Sequence, residues 1–371
     1  MTQTRRMKIL QAVVEDYIRT QEPVSSSGVA SRHHIDVSPA TVRNDMAVLE
    51  EEGYLTQPHT SAGRIPSEKG YRYFVDQLSS VVPLSQPQRR AIEEFLKGSV
   101  NVDDVLHRSA QLLARITGQV AVVAAPAITR STLRHCELLP VSHNAVLVVI
   151  ITDTGRIEQR TLSSPLADKP DFLRRLMAQI NDVCGNSSIQ KAGRRIRSMD
   201  MELFMGSLFP AESPDASQHA ARGCIEGIAD IFDDVSSSDA AYSLYTTGAS
   251  KLAHERNSQV ENIAALLDAL EEQIVVMHLM DNLASAARAN RMDGVGIAIG
   301  SETHMPGLLH TAVVTSGYGV RHDTDSAGPS DNDSIAFVGS IGPTHMDYRI
   351  TISAVRAVAQ YLTRFMGNDQ K

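Results

Sequence analysis

Tryptophan is absent from this 371-residue chain, and aromatic residues make up only 5% of it. Pockets that grip flat metabolites are walled largely by aromatic and apolar side chains. With no cluster of convergent charged or aromatic groups in sight, a metabolite sensor has little material here. Cysteine is scarce too. Cys136, Cys184 and Cys224 are odd in number and dozens of residues apart, which makes neither a disulfide framework nor a zinc knuckle. They read as reduced, buried thiols. No long apolar run exists: Ala145 to Ile151 is about a third of the roughly 20 residues a bilayer-spanning helix needs. The N-terminus, Met1-Thr2-Gln3-Thr4-Arg5-Arg6, runs into an amphipathic pattern and not a secretory signal, so the expected address is cytoplasmic, with no membrane partner.

Catalytic signatures are equally thin. Gly294-Val295-Gly296-Ile297-Ala298-Ile299-Gly300 has the glycines of a nucleotide loop but not the G-x-G-x-x-G spacing, and it reads as a strand. There is no Walker A string, no H-E-x-x-H and no G-x-S-x-G, and the 13 histidines lack metal-ligand spacing. The expectation is a non-enzyme without metal or cofactor. An excess of positive charge is missing as well: the formal net charge is −8. Taken whole, that is the wrong sign for a nucleic-acid partner.

What is present begins in the first 80 residues. Thr4 caps a helix with Ile9, Leu10, Val13, Tyr17 and Ile18 on its apolar face, ended by Gln21-Glu22-Pro23. Ser25 or Ser26 caps a short second helix to His33. Ser38 is an N-cap and Pro39 fits the first helical position, opening a third helix from Ala40 to Glu52 with Val42, Met46 and Leu49 inward and Gly53 as its stop. Short helices joined by a tight turn and braced by another form a helix-turn-helix. Tyr54 to Gln57, a turn over Pro58 to Gly63 and a return at Arg64-Ile65-Pro66 add a hairpin, the wing of a winged helix.

The outward residues of the third helix are Ser38, Ala40, Thr41, Arg43 and Asn44. Arg43 can bond the O6/N7 edge of guanine bidentately and Asn44 the N6/N7 edge of adenine; Ser38 and Thr41 suit phosphates or a thymine methyl. His59, Thr60, Ser61 and Arg64 on the wing, with Lys69 and Arg72 behind it, are placed against the DNA backbone. A second reading stays open for Arg43, an ion pair with Asp45 or Glu50 on its own helix.

Val81 to Pro87 carries two prolines and reads as a linker. Helical spacing then runs through Ile92, Phe95, Leu96, Val105, Leu106, Leu112, Leu113 and Ile116. Strands follow at Val120 to Ala125, Ala145 to Thr152 and Arg156 to Leu162, and return at Val295 to Ile299, Thr311 to Thr315 and Ser334 to Val338 before a last helix, Asp347 to Met366. The pattern is that of one sheet interrupted and resumed. The interrupting segment, 190–277, ends in a long helix from Asn257 to Met280, with Val260, Ile263, Leu267, Leu270, Ile274 and Met277 at coiled-coil spacing. Two readings stand for it: a helix packed on its own domain, or a dimer contact.

Ser38-Pro39-Ala40-Thr41-Val42-Arg43-Asn44-Asp45-Met46, Leu49 to Leu55 and above all the wing string Gln57 to Arg72 resemble the HrcA family of heat-inducible transcription repressors, as do Tyr245 to Leu252 and Ile341 to Tyr348. The resemblance spans essentially the whole chain. It implies an α+β multidomain architecture: a winged helix-turn-helix over 1–82, a discontinuous GAF-like α/β domain over 88–189 and 278–371, and an inserted α+β dimerisation domain over 190–277. It also implies a homodimer on an inverted-repeat operator of the CIRCE type in double-stranded DNA ahead of chaperone genes, with a GroEL-type chaperonin as partner keeping the repressor active.

The negative charge is unevenly spread. Residues 1–80 hold nine Lys/Arg against ten Asp/Glu, whereas residues 200–240 hold only Arg222 against nine acids. Acidity therefore sits away from the reading head and is expected in the insert.

Overall fold

The computed structural model describes residues 2–33, 35–59, 62–78, 85–99, 101–126, 131–199, 214–237, 244–252, 266, 268–289, 294–319 and 336–368. Helix α1 (Thr2–Thr20) is followed by α2 (Ser26–Arg32) and α3 (Pro39–Glu51), then by strands β1 (Leu55–Thr56) and β2 (Ile65–Pro66) and helix α4 (Glu68–Gln77). Two of the expected caps form, whereas Thr4, expected to cap α1, lies inside that helix, which begins at Thr2. The Ser25 hydroxyl accepts from the Gly28 N–H at 3.1 Å, and that of Ser38 from the Thr41 N–H at 3.2 Å. Each such cap stabilises its helix by about 1 kcal/mol. Gly53 takes the left-handed conformation, φ +77°, that ends α3. The hairpin β1–β2 is antiparallel, with Leu55 opposite Pro66, and Val24 adds a third rung by exchanging two backbone hydrogen bonds with Arg64. Gly63 lies so close to the Val24 carbonyl that a Cβ there would collide with it.

Beyond the linker come α5 (Gln86–Lys97), α6 (Val102–Thr117) and β3 (Val120–Ala124). Next are β4 (Leu133–Ser142), β5 (Ala145–Thr152), β6 (Ile157–Ser163), α7 (Pro170–Cys184), α8 (Ile189–Arg197) and α9 (Pro214–Ser237). The chain closes with β7 (Leu244–Thr247), α10 (Ala249–Leu252), α11 (Gln273–Ala289), β8 (Val295–Ile299), β9 (Thr311–Tyr318), β10 (Ala336–Pro343) and α12 (Tyr348–Asn368).

Five strands make one antiparallel sheet in the order β7-β3-β10-β9-β8. Numbered by their own sequence this is 2-1-5-4-3, the GAF-like body. Helices α6, α11 and α12 pack against it, and every residue of β3 and β9 is buried, which explains their unalternating apolar runs. Helix α11 crosses β8 closely at Gly296, where a Cβ would strike the Leu283 carbonyl. Within this sheet β3 and β7 are neighbours, with Ala124 opposite Leu244.

The insert both starts and ends earlier than the expected 190–277, since β7 already belongs to the body's sheet and Leu266, Ala269, Val276 and Met277 to the body's core. Strands β4, β5 and β6 form a separate three-stranded sheet, and with α7, α8 and α9 they bury a core of their own, from Leu133 to Val235. Only β3 stays in the body. The reason lies in β4, whose alternation Arg134, His135 and Glu137 disguise in the sequence. Once β4 pairs along β5, and β6 takes the other side, β5 has no edge left for the body's sheet. Helices pack on one face of this small sheet. On its other face Leu139 and Ile157 are exposed and Leu147, Val149 and Ile151 half-buried, and no described element covers them.

The three cysteines are free and buried within the insert. Burial pushes the Cys136 thiol up to about 12 and the Cys184 thiol up to about 11, so both stay protonated and unreactive.

Of the expected dimer seam, Val260, Ile263 and Leu267 lie outside the described residues. Leu270 is half-buried against the body's core, and Ile274, at the start of α11, is 64% exposed.

Head and body share one continuous apolar cluster. Ile9, Leu10, Val42 and Leu49 belong to it together with Val120, Phe337, Tyr348 and Leu362, and Tyr71 of α4 lies against Tyr348 of α12 with ring centres 6.2 Å apart.

Candidate nucleic-acid interface

Helix α3 is held by its acids on one side and offers its cation on the other. Asp45, on the inner face, is buried and receives Arg5 (Nε–Oδ2 2.7 Å) and Arg6 (Nε–Oδ1 3.4 Å) from α1. Glu50 is bound by Arg64 at 2.8 Å, and Glu52 by Arg6 at 3.6 Å. The pairings open to Arg43 in the sequence are thus taken by other arginines. Arg43 and Asn44 are exposed, with no hydrogen bond or ion pair to any described residue. Such a forked cation and a carboxamide, one residue apart near the start of a projecting helix, fit base edges in a major groove.

Ser38 and Ala40 are exposed beside them. Thr41 is half-buried, and its hydroxyl shares a 3.0 Å hydrogen bond with that of Ser38. His59 is exposed at the wing's turn; Thr60 and Ser61 lie outside the described residues.

Three residues assigned to the DNA backbone are engaged elsewhere. Arg64 ties the wing's return strand to α3 through Glu50. Lys69 donates from Nζ to the Glu52 carbonyl at 2.8 Å and stands 4.3 Å from the centre of the Tyr54 ring. It closes the C-terminal end of α3, where carbonyls lack partners and a cation suits the dipole. Arg72 donates to Glu302 and to the Ile297 carbonyl of the body. Sequence spacing places residues along a helix but cannot tell which neighbour lies across it.

Lys69→Ala is therefore expected to lower stability by about 1 kcal/mol through the lost hydrogen bond. The slope of log affinity against log salt should stay at the wild-type value; urea unfolding and a salt titration of DNA binding check the pair. A slope reduced by about one would return Lys69 to a phosphate.

Lys8 was missed in the sequence. It is exposed on α1, makes no ion pair with a described residue, and lines with Arg5, Glu15 and Asp36 a groove of mixed polar and apolar character, about 720 Å³, beside the turn Ile35-Asp36-Val37 that leads into α3. Its signal was only its place on the polar side of an amphipathic helix.

Among the described residues no group of His, Cys, Asp and Glu could hold a metal, and no helix is long and apolar enough to cross a membrane. What the geometry offers is a protein surface for duplex DNA.

Known proteins agree with this geometry. The family model for DeoR-like helix-turn-helix domains matches residues 7–68, and that for the HrcA protein C terminal domain matches residues 103–352. The heat-inducible transcription repressor HrcA of Bifidobacterium adolescentis is 50% identical over 388 residues, covering 100% of this chain and 99% of its own. Its counterpart in Bifidobacterium longum strain DJO10A is 50% identical over 387 residues with the same coverage. A crystal structure described only as that of a hypothetical protein shares the fold at a TM-score of 0.62 and 21% identity, over 98% of both chains. With a reading head whose one projecting helix keeps its cation unengaged, and whole-length relatives that are repressors and not enzymes, the chain belongs to the HrcA family of heat-inducible transcription repressors.

Proposed function

We propose that the chain represses heat-shock chaperone operons in the cytoplasm by binding, as a homodimer, an inverted-repeat operator in double-stranded DNA, and that a GroEL-type chaperonin keeps it active until heat stress withdraws that support. The observation that carries this reading is the exposed, unengaged pair Arg43 and Asn44 on a helix whose neighbouring acids are mostly paired. Arg43 reads guanine and Asn44 adenine; Ser38, Ala40 and Thr41 accompany them in the groove. His59, Thr60 and Ser61 of the wing, with Lys8, meet the backbone.

Two heads related by a two-fold axis match the symmetry of an inverted repeat. The dimer is carried by the insert, supported by the sheet face that leaves Leu139, Leu147, Val149, Ile151 and Ile157 without a described cover. Marginal stability makes heat-sensitivity physically cheap: a few kcal/mol separate an active repressor from an unfolded one.

Footprinting on the promoter of the chain's own chaperone operon tests it. Both arms of an inverted repeat should be protected, and chaperonin added to heat-treated repressor should restore the protection. A single protected arm would contradict the dimer, and occupancy indifferent to chaperonin would contradict its role as partner.

A further inference from the structure

The reading head is clamped to the body by directional contacts as well as by a shared core. Glu68 and Arg72 lie one turn apart on α4, and both reach the turn Gly300–Thr303 that follows β8. Arg72 donates from Nε to one oxygen of Glu302 at 2.8 Å and from Nη2 to the other, and the same Nη2 donates to the Ile297 carbonyl at 3.0 Å. Glu302 is itself held, its Oε2 accepting from the Ile299 N–H at 2.9 Å. Glu68 accepts from the Ser301 hydroxyl at 2.6 Å and from its N–H at 3.3 Å. The approach is so close that Gly300, at φ +53°, has no room for a Cβ beside the Glu68 carboxylate.

The start of α4 is also fastened to the end of α3. The Ser67 hydroxyl donates to the Gly53 carbonyl at 2.6 Å, and Lys69 to that of Glu52 at 2.8 Å. A continuous path of polar contacts therefore runs from the recognition helix through α4 to the body.

Apolar burial, as between Tyr71 and Tyr348, is non-directional and fixes that two parts touch. A guanidinium meeting both oxygens of a carboxylate fixes the angle at which they touch. We propose that Arg72 and Glu302 are positioning residues for operator binding: their two-pronged contact sets the angle of each recognition helix to the body and so the separation of the two helices in the dimer. This inference rests on the dimeric reading above. In a two-headed binder the second contact is strong only if geometry lets both engage at once.

The test compares full-length wild type with Glu302→Gln, which keeps the shape and loses the charge, and Arg72→Lys, which keeps the charge and loses the two-pronged geometry. Each is titrated against a single half-site, the complete inverted repeat, and repeats whose spacer is altered by a base pair or two. Wild type should bind the complete repeat far more tightly than a half-site and lose that advantage on altered spacers. Both variants should keep the half-site affinity, lose about tenfold on the complete repeat and become tolerant of spacer length. Variants that follow wild type on every DNA would overturn the clamp and leave the dimer standing. Equal losses on half-site and complete repeat would overturn it too, since the contact would then serve only the integrity of the head. A wild type without preference for the complete repeat would defeat the dimeric reading, and the clamp with it.

Discussion

Arg43→Ala should remove most of the protein's discrimination for its operator while leaving it folded. A bidentate arginine–guanine contact is worth about 1–3 kcal/mol of specificity, or roughly ten- to hundredfold in affinity. The fold should not notice, because the side chain is exposed and bonds to no described residue. Arg43→Lys should recover only part of the loss, since an ammonium group cannot present two parallel donors. Competition gel shifts with operator and scrambled duplex, beside thermal melts, measure both quantities. Unchanged discrimination in Arg43→Ala would move base reading to Asn44 or the wing.

Tyr348→Ala should be the most damaging single change to stability described here, costing about 3–5 kcal/mol out of the 5–15 typical of a folded domain. The side chain is fully buried, its hydroxyl donates to the Thr344 carbonyl at 2.7 Å, and burial holds the phenol far above its usual pKa. Its ring also abuts Tyr71, so the cavity would open where α4 meets α12. Head and body are expected to lose stability together, with DNA binding failing at the same urea concentration as the body's secondary structure. Tyr348→Phe, which keeps the ring and strands one carbonyl, should cost only about 1 kcal/mol. An unmoved urea midpoint in Tyr348→Ala would show that the seam tolerates the void.

Much of this architecture is local and therefore legible in sequence. Caps at Ser25 and Ser38, Pro39 at the start of α3 and Gly53 at its end are short-range chemistry, and each appears in the structure where its residue type calls for it. Inward positions followed from helical period: Val42, Met46 and Leu49 are buried, as are Leu106 and Leu113. Strands at 120–124, 145–152 and 295–299 stood out because they are short apolar runs, rich in β-branched residues and bounded by turn residues; those at 120–124 and 295–299 are almost wholly buried, while 145–152 alternates between buried and half-buried positions.

The rest depended on partners far along the chain. β4 was hidden by its charged residues, and with it the true start of the insert. Strand β7 has four residues and means little until β3 is seen beside it. The same holds for the interface. Arg64 and Arg72 are plausible phosphate contacts by composition alone; their partners, Glu50 and Glu302, come from a different helix and a different domain. Charge needed the same revision. The acidic stretch near residues 230–233 is answered within the insert by Arg197, which pairs with Asp230 at 2.6 Å and Asp233 at 2.7 Å.

The pairing of Ala124 with Leu244 makes the insert a detachable cassette. Cross-strand partners lie roughly 5 Å apart, so the chain leaves the body and re-enters it at nearly one point. A short hairpin turn can span that gap and would keep all five strands of the body in their order. The module proposed to bring two repressors together is thus topologically independent of the module that reads DNA. A different pairing module, of any size whose ends are close, can be spliced in at that seam without redesigning the head.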